Sequence, residues 1–153
     1  RERIRTFAGL AALHVDGDAH RSLRGPSDEA TPTYRRIKQA LKDVRSRAEG
    51  IRFVYTVRQD ARGQIVFAVD AEEDPKLVSH VGDVYKEATP LMKRSFSAPH
   101  RVHVEKSFDR DKWGLWLSGY APIFDSSGRL EAWSAWTCRR RRSCPTSGTT
   151  CSR

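Results

Sequence analysis

The sequence predicts an α+β fold in which an antiparallel sheet carries helices on one face. Three observations carry this reading. Apolar residues recur at spacings of three and four near the N-terminus, the period switches to two from Ile51 onward, and two hairpin-like pairs of period-two runs are separated by a short helical insertion. The 153 residues are about one domain's worth and enough to bury a core.

The first segment, from Arg1 to about Val15, places Ile4, Phe7, Ala8, Ala11 and Val15 on one stripe of a helix, and Asp16-Gly17-Asp18 reads as its stop. Gly25-Pro26-Ser27-Asp28 reads as a polar loop. Thr31-Pro32 then supplies an N-cap and a first-turn proline, and the stripe Tyr34, Ile37, Leu41, Val44, Ala48 predicts a second helix closed by Gly50. Ile51, Phe53, Tyr55 and Val57 alternate with Arg52, Val54, Thr56 and Arg58; a turn through Asp60 to Gly63 leads to Ile65, Phe67 and Val69, completing a hairpin. Thr89-Pro90 opens a short helix with Leu91, Met92, Ser95 and Phe96, and Val102 and Val104 begin another strand. The segment DKWGLWLSGYAPIFDSSGRLEAW, Asp111 to Trp133, predicts a second hairpin. Its first strand puts Trp113, Leu115, Leu117, Ala121 and Ile123 on one face and Trp116, Ser118 and Tyr120 on the other, so both faces are expected to be covered. Asp125-Ser126-Ser127-Gly128 supplies the turn.

Lys and Arg number 28 against 19 Asp and Glu, a formal charge of +9. The excess is largely a property of the C-terminal end. Without the residues after Ala132 the cations fall to 23, the anions stay at 19 and the charge falls to +4, which gives little reason to invoke nucleic acid. All three cysteines, Cys138, Cys144 and Cys151, lie in the same stretch, so the body is cysteine-free and compatible with either an exported or a cytosolic setting. No stretch approaches the roughly 20 apolar residues of a membrane span, and no signal peptide is recognisable. The chain opens at Arg1 without an initiating Met, so it is expected to be a piece of a longer protein whose flanks hold a membrane anchor.

IRFVYTV, IVFAVDAEEDP, HVGDVY and above all DKWGLWLSGYAPIFDSSGRL resemble the extracytoplasmic PAS-like sensor domains known as PDC or Cache domains, over nearly all of the stretch from Arg1 to Ala132. The resemblance implies a long N-terminal helix leaving the membrane, a five-stranded antiparallel sheet, and a ligand pocket between that sheet and the loops and short helix over it. It implies the input end of a membrane receptor whose output is a histidine kinase, a cyclase or a chemoreceptor. The expected partners are a small-molecule ligand, the anchor and output domain of the full-length protein, and a second copy through the N-terminal helix, with no nucleic acid. The expected location is extracytoplasmic.

Domains that this chain resembles close their last strand with a sequence like VxGVDM, whereas here Ala132 runs into WSAWTCRRRR. Because Trp is TGG and Cys begins TG, reading one nucleotide earlier forces Leu, Met or Val at Trp133 and allows LVGVDM followed by SAEEV. We therefore expect a sensor domain over residues 1–132 and an out-of-frame, disordered tail over 133–153; a resequenced source that preserves the present frame would remove the frame hypothesis. The alternative is a basic flexible tail that binds anionic partners. A metal site from the three cysteines is disfavoured by spacings that match no zinc pattern.

Strand phase gives the candidate pocket. Tyr55 lies on the apolar face of its strand, Asp70 ends the next, and Trp116, Ser118 and Tyr120 share a face of the long strand, together offering aromatic walls with polar anchors. The resemblance adds the loop HVGDVY, with Asp83 and Tyr85, passing over them. For any one of these residues a role in core packing or turn capping is about as common as ligand contact, so only the set carries weight. Arg58 has a fork suited to a ligand carboxylate but is more commonly a solvated strand-end charge. His14, His20, His80, His100 and His103 have no metal-ligand spacing and read as surface or loop histidines, and Glu72, Glu73 and Asp74 read as a solvated turn. No metal and no cofactor is expected. No phosphate loop, serine elbow or HExxH is present, so no catalytic residue is proposed. A basic nucleic-acid-binding fragment and, behind it, a small hydrolase using Asp70 are the alternatives to a ligand sensor.

Overall fold

The computed structural model describes residues 2–106, 109–111 and 114–139. In chain order these form α1 (Glu2–Leu13), α2 (Gly17–Arg21), a 3-10 helix (Pro26–Ala30), α3 (Pro32–Arg47), β1 (Ile51–Gln59), β2 (Ile65–Asp70), α4 (Pro90–Ser95), β3 (His103–Val104), β4 (Asp109–Asp111), β5 (Gly114–Phe124) and β6 (Leu130–Arg139). The sheet is antiparallel in the order β2-β1-β6-β5-β3, with β4 also paired to β5. β3 faces Gly119 and Tyr120 while β4 faces Gly114 to Trp116, so five strand positions are occupied and the outermost is divided in two. The α+β, PAS-like class expected from the sequence is therefore the architecture observed.

The element starts follow from local chemistry. The Thr31 hydroxyl accepts from Tyr34 N–H and the Thr89 hydroxyl accepts from Met92 N–H, each followed by proline in the first turn, where its missing N–H costs nothing. In the β5–β6 turn the Asp125 carboxylate accepts from the backbone of Ser127 and Arg129, and Gly128 adopts φ 82°, a conformation that strains any side chain. Two local expectations are corrected. Asp16-Gly17-Asp18 does not simply end a helix, because Asp16 is the N-cap of α2, accepting from Asp18 and Ala19 N–H. Residues after Gly25 form the 3-10 helix rather than an open loop.

Both faces of the sheet are covered. On one, Val54, Ala121, Ile123, Ala132 and Trp136 meet Ala8 and Ala11 of α1 and the α3 stripe Tyr34, Ile37 and Leu41, with the Phe7 and Trp136 rings stacked at 6.0 Å. Each large apolar side chain buried there contributes about 1.5–3 kcal/mol of transfer free energy, as an upper value. On the other, Tyr55, Val57, Tyr120, Trp133 and Ala135 are covered by Ala88, Met92 and the partly buried Phe96. Ile4 and Trp113, named in the sequence stripes, lie outside the residues whose side chains are described.

The boundary expected after Ala132 is also corrected. β6 runs through Arg139 between β1 and β5, pairing Trp133 with Val57 and Pro122, and Trp136 with Val54 and Gly119. Both tryptophans are fully buried, so residues 133–139 belong to the middle of the sheet and not to a tail. The physical reason is that Trp133 and Trp136 are an odd number of residues apart, so a strand sends one to each covered face with small residues beside it. The remaining tail residues, Cys144 and Cys151 among them, lie outside the described residues.

Candidate functional site

The face of the sheet opposite α1 and α3 carries a continuous row of hydroxyl groups among aromatic rings. Register sets it up: Ser118 of β5 pairs with Thr137 of β6, which in turn faces Phe53 of β1, and Tyr120 and Tyr55 both pair with Ala135. The small side chain at Ala135 leaves room for the two tyrosines flanking it. Ser118 Oγ lies 3.0 Å from Thr137 Oγ1, Thr137 neighbours Tyr55, and Tyr55 Oη lies 2.9 Å from Tyr85 Oη in the covering segment. Burial, then the neighbouring Tyr85 and Tyr120, push the Tyr55 phenol well above its ordinary value, so the row consists of neutral hydroxyls. The rings of Tyr55, Phe67 and Tyr85 contact one another at 4.6 to 5.8 Å, and Phe53 meets Trp116 at 5.0 Å.

Beside this row sits one carboxylate. Glu105, just past β3, accepts from Tyr120 Oη and from Thr89 Oγ1, both at 2.6 Å and both on Oε2. Thr89 is also the N-cap of α4, so one side chain ties the start of that helix to the sheet through Glu105 and Tyr120. Burial, then the Glu105 bond, raises the Tyr120 phenol far above its ordinary value. Tyr55 and Tyr120 form the buried floor of this cluster, while Tyr85, Thr89 and Glu105 are half-buried and form its rim.

Of the residues singled out in the sequence, the structure brings Tyr55, Tyr85, Trp116, Ser118 and Tyr120 to this one face. Asp70 and Asp83 are elsewhere. Asp70 accepts from Glu72 and Ser79 N–H and has Lys38 of α3 among its charged neighbours; burial raises its pKa although those backbone bonds oppose the shift. Asp83 accepts from His80 N–H in an exposed turn. Both carboxylates hold loop backbone. Glu72 and Glu73 pair with Arg52 and with Lys42 of α3, respectively, and so are not a free acidic turn. Thr137, Glu105 and Thr89 were not anticipated as site residues; of these only Thr89 had a local signal, as a helix cap.

A second polar cluster lies on the opposite face, under α2. His20 is fully buried, correcting its reading as a surface or loop residue: Nδ1 lies 2.6 Å from Glu131 Oε2 and Nε2 2.7 Å from Thr56 Oγ1. Burial, the largest influence, holds this imidazole below its ordinary value. In the neutral ring Nδ1–H donates to the carboxylate, which has no proton to give, so Nε2 accepts from the Thr56 hydroxyl. Arg58 is not a solvated strand-end charge either. It is 8% exposed and donates to Glu131 at 3.0 Å and to the carbonyls of His20 and Leu23. Acid, imidazole and hydroxyl stand in the order of a nucleophilic triad, but His20 and Thr56 are both 0% exposed and the Thr56 hydroxyl also accepts from Val69 N–H. No substrate reaches this hydroxyl in the conformation described, and the cluster fastens α2 to the sheet.

The covering segment is itself joined to the β2 edge. Gly82 N–H donates to Phe67 O, Phe67 N–H to Asp83 O and Tyr85 N–H to Ile65 O, all within 2.8–2.9 Å, which protects an edge that would otherwise present open ladder groups. Among the described residues no helix is long and apolar enough to cross a membrane. No family model matches the chain, and no curated protein matches it.

Proposed function

We propose that this chain is a small-molecule-sensing input domain of a membrane receptor, as its resemblance to extracytoplasmic PAS-like sensor domains implies. One observation carries the reading. The aromatic and hydroxyl-bearing face at the centre of the sheet is held under the covering segment, at the site itself, by the side-chain bonds Tyr85–Tyr55 and Thr89–Glu105–Tyr120. Hydrogen bonds of this kind exchange readily for bonds to a ligand, because each contributes only about 0.5–3 kcal/mol net.

The same geometry offers a route to an output. Glu105 follows β3, and Arg5 of α1 donates to the carbonyl of Val102 immediately before β3, at 3.3 Å. A ligand that repositions Glu105 therefore acts on the strand against which α1 rests. A difference in ligand affinity between two α1 positions is what biases an output beyond this chain. The test is a thermal-shift screen of the chain against carboxylates, amino acids, amines and nucleobases, repeated on Tyr120→Ala. Saturable stabilisation that the variant loses supports sensing at this face. A silent library, or ligands that bind both proteins equally, removes the proposal.

A further inference from the structure

Resting on the sensing reading above, we infer that the site takes a cationic amine, with the Glu105 carboxylate as counter-ion and the rings of Tyr55, Tyr85 and Tyr120 as its wall. Three features of the cluster select this charge. First, both hydroxyl donors converge on Glu105 Oε2, and among the described residues Oε1 holds no hydrogen bond, which leaves an acceptor on the half-buried rim. Second, no Lys or Arg forms a salt bridge with Glu105 among the described residues, and its titratable neighbour His103 is held below its ordinary value by burial and by Arg101, Arg5 and Arg94; such a carboxylate is compensated by a cation that brings its own N–H donors. Third, the ring bonded to Glu105 is Tyr120, with Tyr55 and Tyr85 as its aromatic neighbours, and negative ring faces attract an ammonium group while disfavouring an anion.

A carboxylate ligand finds the reverse. Arg58, the residue whose fork would suit it, lies on the other face of the sheet, bonded to Glu131 and to backbone carbonyls. The amine is thus placed between Tyr85 and Glu105, next to Thr89. By taking Glu105 Oε1 it shares its counter-ion with the Thr89 hydroxyl, which caps α4 and donates to Oε2, and this links occupancy to the position of that helix.

The experiment is calorimetric titration of the chain at neutral pH with butylamine and phenethylamine, against 1-butanol and butyrate as probes of similar length and different charge. The amines are expected to bind saturably and the alcohol and carboxylate not to. Glu105→Gln, which keeps an acceptor for Tyr120 and Thr89 but removes the charge, is expected to weaken amine binding by about tenfold or more. Should that variant not fold, Tyr85→Leu on the rim is expected to weaken phenethylamine more than butylamine. Absence of amine binding, binding of butyrate as tight as that of butylamine, or amine affinity unchanged in the folded variant overturns the inference. If other ligands still bind the parent chain and lose affinity in Tyr120→Ala, the sensing reading survives; if none does, it falls as well.

Discussion

Two buried residues pairs set the chemistry of this core at the level of single side chains. Burial keeps His20 below its ordinary value, so below about pH 6.5 the unfolded chain binds a proton there that the folded chain refuses. Stability from His20 is therefore complete above that pH and is lost as pH falls, by up to about 1.4 kcal/mol per pH unit. Glu131 acts in the same direction at lower pH: burial raises its pKa, but the His20 bond and the Arg58 charge outweigh it and hold the carboxyl below its ordinary value. Exposed His80, raised by its bond to Glu29, has the opposite sign and is shared by parent and variant alike. Urea unfolding of the parent chain and His20→Gln at pH 7.5 and 5.5 isolates the first effect; the parent is expected to lose more stability on acidification than the variant, and equal losses would contradict this account. Trp133 and Trp136 give a second comparison. Both are fully buried, but Trp136 Nε1 donates to Ser134 Oγ at 3.1 Å whereas Trp133 Nε1 is buried without a partner. Replacing each by Phe removes a similar volume, so Trp133→Phe is expected to be the less destabilising by about 1 kcal/mol or more, read from chemical denaturation midpoints.

Among the elements, α2 is the one whose placement depends on a single missing atom. A Cβ at Gly17 would overlap the carbonyl of Phe124, so only glycine lets this short helix lie against the β5–β6 turn, where Arg21 pairs with Asp125 at 2.5 Å. Gly17→Ala is expected to lower stability by about 1–3 kcal/mol, the usual range for overpacking. Gly9 is the control: it lies inside α1, with the nearest neighbouring atom of a built Cβ at 4.0 Å, so Gly9→Ala is expected to raise stability by about 0.5–1 kcal/mol. Thermal or denaturant unfolding of the two variants should move in opposite directions. The contrast also shows what kind of element is legible in sequence. α3, α4 and the strand periods were readable because cap, proline and periodicity are local signals. Asp16-Gly17-Asp18 was misread because the residues that cap a helix start are the same types that make a turn, and only the approach of Phe124, more than a hundred positions away, distinguishes them. The site divides along the same line. Trp116, Ser118 and Tyr120 share a face of one strand, which phase alone reveals, whereas Thr137 and Glu105 join them through the pairing of separate strands and a loop.

At the scale of the whole molecule, the last described strand is the centre of the sheet and not its margin. Among the described residues β6 alone joins the β1–β2 hairpin to β5 and the strands beyond it, and it contributes buried side chains to both faces: Trp136 to the helix side and Trp133 to the side under α4. A chain ending at Ala132 keeps three residues of this strand, Leu130 to Ala132, and loses the pairing of Val57, Thr56, Tyr55, Val54 and Phe53 with their partners in β6. Burying a side chain the size of either tryptophan is worth several kcal/mol, against a net stability of about 5–15 kcal/mol for a whole domain. The backbone groups of β1 and β5 left facing each other across the gap add a further cost, because buried amides without partners are strongly unfavourable. The truncated chain is therefore expected not to fold cooperatively: near-ultraviolet circular dichroism should lose its aromatic bands and dye binding should report exposed apolar surface, while the full chain shows a single unfolding transition. A 1–132 chain with a sharp transition near that of the full chain would show that the five remaining strands close without β6. The same reasoning constrains any strand that fills this position, in whichever frame it is read: it must present apolar residues at 133 and 136 to opposite faces and a small one at 135, where Tyr55 and Tyr120 converge.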